Sequence, residues 1–127
     1  MIIVCLGDSL TEGDYGIFGK RGIANVQKEN YLYFLAKDLQ AEVRNFGKCG
    51  YRSSSCLKNY KDGNVNLENA DFIIIMLGTN GGQSETEQTP ENINYLELIE
   101  LCKNDAPNVK IVLCTPPHAT LNPKWSN

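Results

Sequence analysis

Three short stretches carry residue types that together could move an acyl group. Gly7-Asp8-Ser9-Leu10 offers a hydroxyl nucleophile, Ser9. Asn45-Phe46-Gly47-Lys48-Cys49-Gly50 offers the backbone N–H of Gly50, at a residue whose missing Cβ lets a ligand approach the chain. Gly78-Thr79-Asn80 offers the Asn80 side-chain amide. A serine hydroxyl becomes a useful nucleophile when a base takes its proton. Two or more N–H groups aimed at the developing oxyanion then lower the barrier, and removing one donor typically costs ~10²–10³ in rate.

These stretches matter only if the chain folds them into one place. Residues 2–6 form an unbroken apolar run, β-branched at three of five positions, and predict a strand buried on both faces. Gly7 and Asp8 end it with turn chemistry. Residues 31–40 predict a helix capped by Asn30, with Tyr31, Phe34, Leu35 and Leu39 as its apolar face. Residues 41–46 predict a more polar strand near a sheet edge. Ser53, Ser54 and Ser55 are expected to cap a short helix reaching residue 60. Residues 72–77 give the strongest strand. Thr89-Pro90-Glu91 opens a helix over residues 90–104, with Ile93, Leu96, Ile99 and Cys102 expected to face inward. Residues 109–114 predict a fourth buried strand. Strands alternating with crossover helices give a doubly wound parallel α/β sheet in three layers. All carboxyl ends of such strands share one edge, so Ser9, Gly50 and Asn80 converge if strands two and three flank strand one.

In order and spacing, the three stretches resemble the first three sequence blocks of the GDSL or SGNH hydrolases, a family of serine esterases, lipases, thioesterases and carbohydrate O-deacetylases. The resemblance implies a flavodoxin-like SGNH fold over one domain, residues 1–127. It implies Ser9 as nucleophile and an oxyanion hole built from the N–H groups of Ser9 and Gly50 and the Asn80 amide. Two positions depart from the family pattern. Gly81 stands where an Asp usually follows Gly-x-Asn. The Asp-x-x-His block that supplies the family's base and its orienting acid does not occur in these 127 residues. The expectation is therefore a portion of a longer hydrolase, without its last strand and helix and with little turnover by itself. His118 is the one imidazole, just past the fourth strand. It and Asp8 are carried as substrate-binding candidates, with Asp8 read mainly as a turn-fixing residue rather than a triad acid.

Composition narrows the alternatives. Net charge is −3, with 42% hydrophobic and 21% charged residues, which fits a packed domain and shows no basic stripe for nucleic acid. No apolar run approaches the ~20 residues of a membrane span. With no leader-like start, a cytoplasmic location is expected. Cys5, Cys49, Cys56, Cys102 and Cys114 lack the C-x-x-C spacing of metal or redox sites, so no metal is expected and the thiols read as reduced. The glycine-bearing loop over residues 12–27 has no G-x-G-x-x-G or P-loop pattern and reads as substrate-shaping, with no cofactor. The partner expected is a small ester, with a homo-oligomer or strand-swapped dimer as a further expectation. The rival readings are a ligand-binding module without catalysis and a phosphate- or flavin-binding doubly wound domain.

Overall fold

The computed structural model describes residues 1–13 and 30–117. Its elements in chain order are β1 (Ile2–Gly7), α1 (Ser9–Glu12), α2 (Tyr31–Leu39), β2 (Glu42–Asn45), α3 (Ser53–Lys61), β3 (Phe72–Met76), α4 (Pro90–Asp105) and β4 (Lys110–Cys114). The four strands form one parallel sheet in the order β2-β1-β3-β4. Strands two and three therefore flank strand one, the flavodoxin-like arrangement in which ligands bind at the carboxyl ends beside β1 and β3.

Alternation along the strands sorts the core into two faces. Val4 and Leu6 of β1 with Ile73 and Ile75 of β3 meet Cys56, Leu57 and Tyr60 of α3 and Leu98 and Cys102 of α4. On the opposite face Ile3 and Cys5 meet Leu32 of α2, with Val43, Phe72 and Ile74 partly buried around them. Burial also suppresses thiolate formation, pushing Cys5 and Cys56 up to about 12 and Cys102 up to about 11.

Several sequence expectations are corrected. Ser9–Glu12 is a short helix, so Glu12 is helical where the loop over residues 12–27 was expected to begin; residues 14–27 of that loop lie outside the described residues. In α2 it is Leu32 that enters the core, while Phe34 and Leu39 are 48% and 49% exposed. The Asn30 cap and a 2.7 Å bond between the Tyr31 and Thr11 hydroxyls fix the first turn and hence the rotation of the helix. In α4 the buried pair is Leu98 and Cys102, whereas Ile93 and Leu96 are 51% and 56% exposed. Two apolar stripes run along α4, and its ties to α3, Tyr60–Asp105 at 2.6 Å and Lys61–Glu97 at 2.9 Å, select which one turns inward. Strand β4 pairs with β3 alone among the described residues, so Val112 and Leu113 stay 41% and 53% exposed rather than buried.

Candidate active site

The short helix carrying Ser9 is held at both ends. Asp8 is its N-cap: Leu10 N–H donates to Asp8 Oδ1 at 2.9 Å. The other oxygen, Oδ2, is buried without a well-formed hydrogen bond, as is Thr79 Oγ1. Burial raises the Asp8 carboxyl above its ordinary value; the Leu10 N–H and the nearby Thr79 hydroxyl partly offset this by favouring the ion. Asp8 is 0% exposed, so the substrate contact expected of it gives way to the work of a buried cap. At the other end Asn30 and Asn45 donate their side-chain N–H groups to the Thr11 carbonyl at 2.7 and 2.9 Å. Ser9 itself is half-buried. Its hydroxyl has no hydrogen-bond partner among the described residues.

The loop after β2 is stitched to this helix. Phe46 N–H continues the pairing onto the Cys5 carbonyl at 2.9 Å, and Lys48 N–H reaches the Gly7 carbonyl at 3.2 Å. The Glu12 carboxylate accepts from Cys49 N–H. Gly47 is required by packing: a Cβ there would lie 2.5 Å from Glu12 N and 2.6 Å from Thr11 Cβ. Gly50 is required by conformation: its φ of +81° is left-handed, and nothing lies within 4 Å of where a Cβ would stand. The residue therefore borders open space.

The loop after β3 closes the third side. Asn80 donates its side-chain N–H to the Tyr51 carbonyl at 2.8 Å, which sets the amide beside Gly50. That amide carries a second N–H. The pairing of Gly7 with Met76 brings Ser9 and Asn80 to the same edge of neighbouring strands. The three chain segments singled out by sequence thus meet at one corner of the sheet. His118 lies outside the described residues. A cavity of about 420 Å³ shares Tyr51 and Ser54 with this corner but is not lined by Ser9 or Asn80. Among the described residues no group of His, Cys, Asp and Glu converges for a metal ion, and no helix is long and apolar enough to cross a membrane.

Sequence reasoning did not find Glu12, Asn45, Thr11 or Glu91, which tie these loops together. Asn45 was in a recognised block, but its bonds to carbonyls 33 and 34 residues away leave no periodic trace.

A parallel α/β sheet of the SGNH type, with a serine just past the end of its first strand, is the class of protein these features define. The chain belongs to the GDSL-like Lipase/Acylhydrolase family, whose sequence profile matches residues 5–127. No curated protein matches it in sequence. Among solved structures it is similar to LAE5, an alpha/beta hydrolase enzyme from the metagenome of Lake Arreo, Spain, at 23% identity and a TM-score of 0.63, covering 92% of this chain and 61% of that one. It is also similar to a family two carbohydrate esterase from Clostridium thermocellum in complex with cellohexaose, at 19% identity and a TM-score of 0.73, covering 98% and 45%. A carbohydrate acetylesterase family member from Sinorhizobium meliloti matches at 19% identity and a TM-score of 0.67, covering 96% and 65%. The chain thus spans less than two thirds of each of these structures.

Proposed function

We propose that the complete protein hydrolyses carboxylic esters through an acyl-enzyme on Ser9. The Ser9 oxygen attacks the ester carbonyl carbon, its proton passing to a base. The resulting oxyanion takes hydrogen bonds from Ser9 N–H, Gly50 N–H and the Asn80 amide. The carbon–oxygen bond to the alcohol breaks and the alcohol leaves with the proton. Water then attacks the acyl-Ser9 ester by the same route and releases the acid.

The observation that carries this reading is the meeting of Ser9, Gly50 and Asn80 on adjacent strand ends, with Asn80 anchored to Tyr51 next to Gly50. Family membership supports the reaction class. In the family pattern the base comes from an Asp-x-x-His segment; within residues 1–127 the one imidazole is His118, and His118→Ala tests it as the alternative base. Residues 1–127 by themselves are accordingly expected to turn over esters poorly. Small acyl groups on sugars or short alcohols are the favoured substrates. Neither loop flanking the site is strongly apolar, and two similar structures are described as a carbohydrate esterase and a carbohydrate acetylesterase family member.

The test is Ser9→Ala in the full-length protein, assayed on short-chain aryl and acetylated sugar esters. Turnover should fall by at least about 10³-fold with the fold intact. Unchanged turnover would remove Ser9 as the nucleophile. A serine-reactive phosphonate separates this reading from a binding module without catalysis: labelling at Ser9 supports the hydrolase, and full-length protein that stays unlabelled supports the module.

A further inference from the structure

We infer that Glu91 is a positioning residue for the oxyanion-binding side of the pocket, acting as a clamp between the loops that carry Gly50 and Asn80. The inference rests on the acyl-transfer reading above. Its starting point is a helix with an unsuitable cap. The residue before α3 is Arg52, whose side chain has donors and no acceptor, so it cannot satisfy the first N–H groups of that helix. Ser53, Ser54 and Ser55 occupy the first turn rather than the N-cap position; of the three, Ser55 reaches back, its hydroxyl accepting from Arg52 N–H at 3.5 Å.

The acceptor comes instead from α4. The Glu91 carboxylate takes Ser54 N–H at 2.8 Å on one oxygen and the Ser54 hydroxyl at 2.7 Å on the other. This two-pronged contact joins positions 37 residues apart. Charge-assisted bonds of this kind are among the stronger hydrogen bonds, and the carboxylate faces the positive ends of two helices, α3 and its own. Gly82 makes room for it: a Cβ at that residue would lie 2.5 Å from Glu91 Cγ.

The clamp sits between the two oxyanion loops. On one side Ser54 is four residues past Gly50; on the other, Gly82 is two residues past Asn80. Two parallel ties run beside it, Asn80 to the Tyr51 carbonyl at 2.8 Å and Gln83 to the buried Ser53 hydroxyl at 2.9 Å. Of the three, only the Glu91 tie is charged. Losing it leaves only the two neutral ties to hold the loops, so the separation of the Gly50 N–H and the Asn80 amide is fixed less tightly. Transition-state stabilisation depends on their separation more than substrate binding does.

The experiment uses the full-length protein with Glu91→Ala, Glu91→Gln and Ser54→Ala. Steady-state kinetics on a short-chain aryl ester are paired with amide hydrogen exchange over residues 50–54 and 78–83. Glu91→Ala should lower kcat on the order of tenfold with KM within about twofold, and should speed exchange in both segments together. Glu91→Gln, which keeps the shape and one acceptor, should recover part of both losses. Unchanged kcat and exchange in a folded Glu91→Ala protein would overturn the clamp, as would faster exchange in one segment alone. If Glu91→Ala does not fold, Glu91→Gln and Ser54→Ala decide by the same two readouts. If Ser9→Ala shows that turnover does not involve Ser9, the acyl-transfer reading falls, while paired exchange still reports on the clamp.

Discussion

Asp8 shows how one residue can be required for two reasons that oppose each other. Its Oδ1 caps the turn that presents Ser9, and its Oδ2 is buried without a well-formed bond. The folded carboxyl is raised above its ordinary value of 3.8, chiefly by burial. The native state therefore holds that proton more tightly than the unfolded chain does. Stability linked to Asp8 is fully present below pH 3.8 and is lost as pH rises from there through the folded value. Asn caps a helix about as well as Asp and does not ionise. Asp8→Asn should gain stability relative to the parent as pH goes from about 4 to 7. Urea midpoints across that range measure the difference. A gap that narrows with rising pH would mean that the ion is stabilised in the fold by more than burial costs it.

At the scale of elements, two glycines in one loop make separable demands. Gly47→Ala forces a methyl against the Glu12 backbone and should cost about 1–3 kcal/mol through overpacking. Gly50→Ala meets no atom within 4 Å and should cost about 1–2 kcal/mol from its left-handed backbone alone. A larger Thr11→Ser benefit in the Gly47→Ala background than in the Gly50→Ala background would confirm the division, since of these two glycines Gly47 abuts the Thr11 side chain and Gly50 does not. The helix faces offer a second check in the 127-residue chain. Leu98→Ala should lose about 2–5 kcal/mol, and Leu96→Ala should stay within about 0.5 kcal/mol, measured by denaturant unfolding. The same contrast marks what the chain's pattern could reveal. Strands β1 and β3 were legible because an unbroken apolar run has one reading in a parallel sheet. The positions of Ser9, Gly50 and Asn80 followed from strand order. The inward stripe of α4 was legible only in part: Ile93, Leu96, Ile99 and Cys102 repeat every three residues, yet Ile99 and Cys102 pack inward together with Leu98 of a second stripe while Ile93 and Leu96 face out. Ties from Lys61 to Glu97 and from Tyr60 to Asp105, far apart in sequence, choose between the two stripes. The cap on α3 was hidden for the same reason: its acceptor, Glu91, arrives from another helix.

Across the whole molecule, the candidate site draws its parts from regions of unequal rigidity. Ser9 follows β1, which pairs with strands on both sides and has Val4, Cys5 and Leu6 at 0% exposure. Asn80 follows β3, which also has two partners. Gly50 follows β2, an edge strand of four residues, and its loop depends on side-chain ties: Glu12 to Cys49, Asn45 to the Thr11 carbonyl, Asn80 to the Tyr51 carbonyl. Edge segments with few buried apolar contacts open locally at lower free energy than the central strands, which open only with the whole domain. Hydrogen exchange in low urea should therefore release amides 47–52 before amides 3–7 and 73–77, by an order of magnitude or more. On the acyl-transfer reading proposed above, turnover by the full-length protein should decline over the urea range where 47–52 opens, ahead of the global transition, because the proposed oxyanion site would lose the Gly50 donor while Ser9 is still in place. Protection at 47–52 equal to that of β1 would show that the side-chain ties make the Gly50 arm as rigid as the sheet centre, and loss of turnover would then coincide with unfolding.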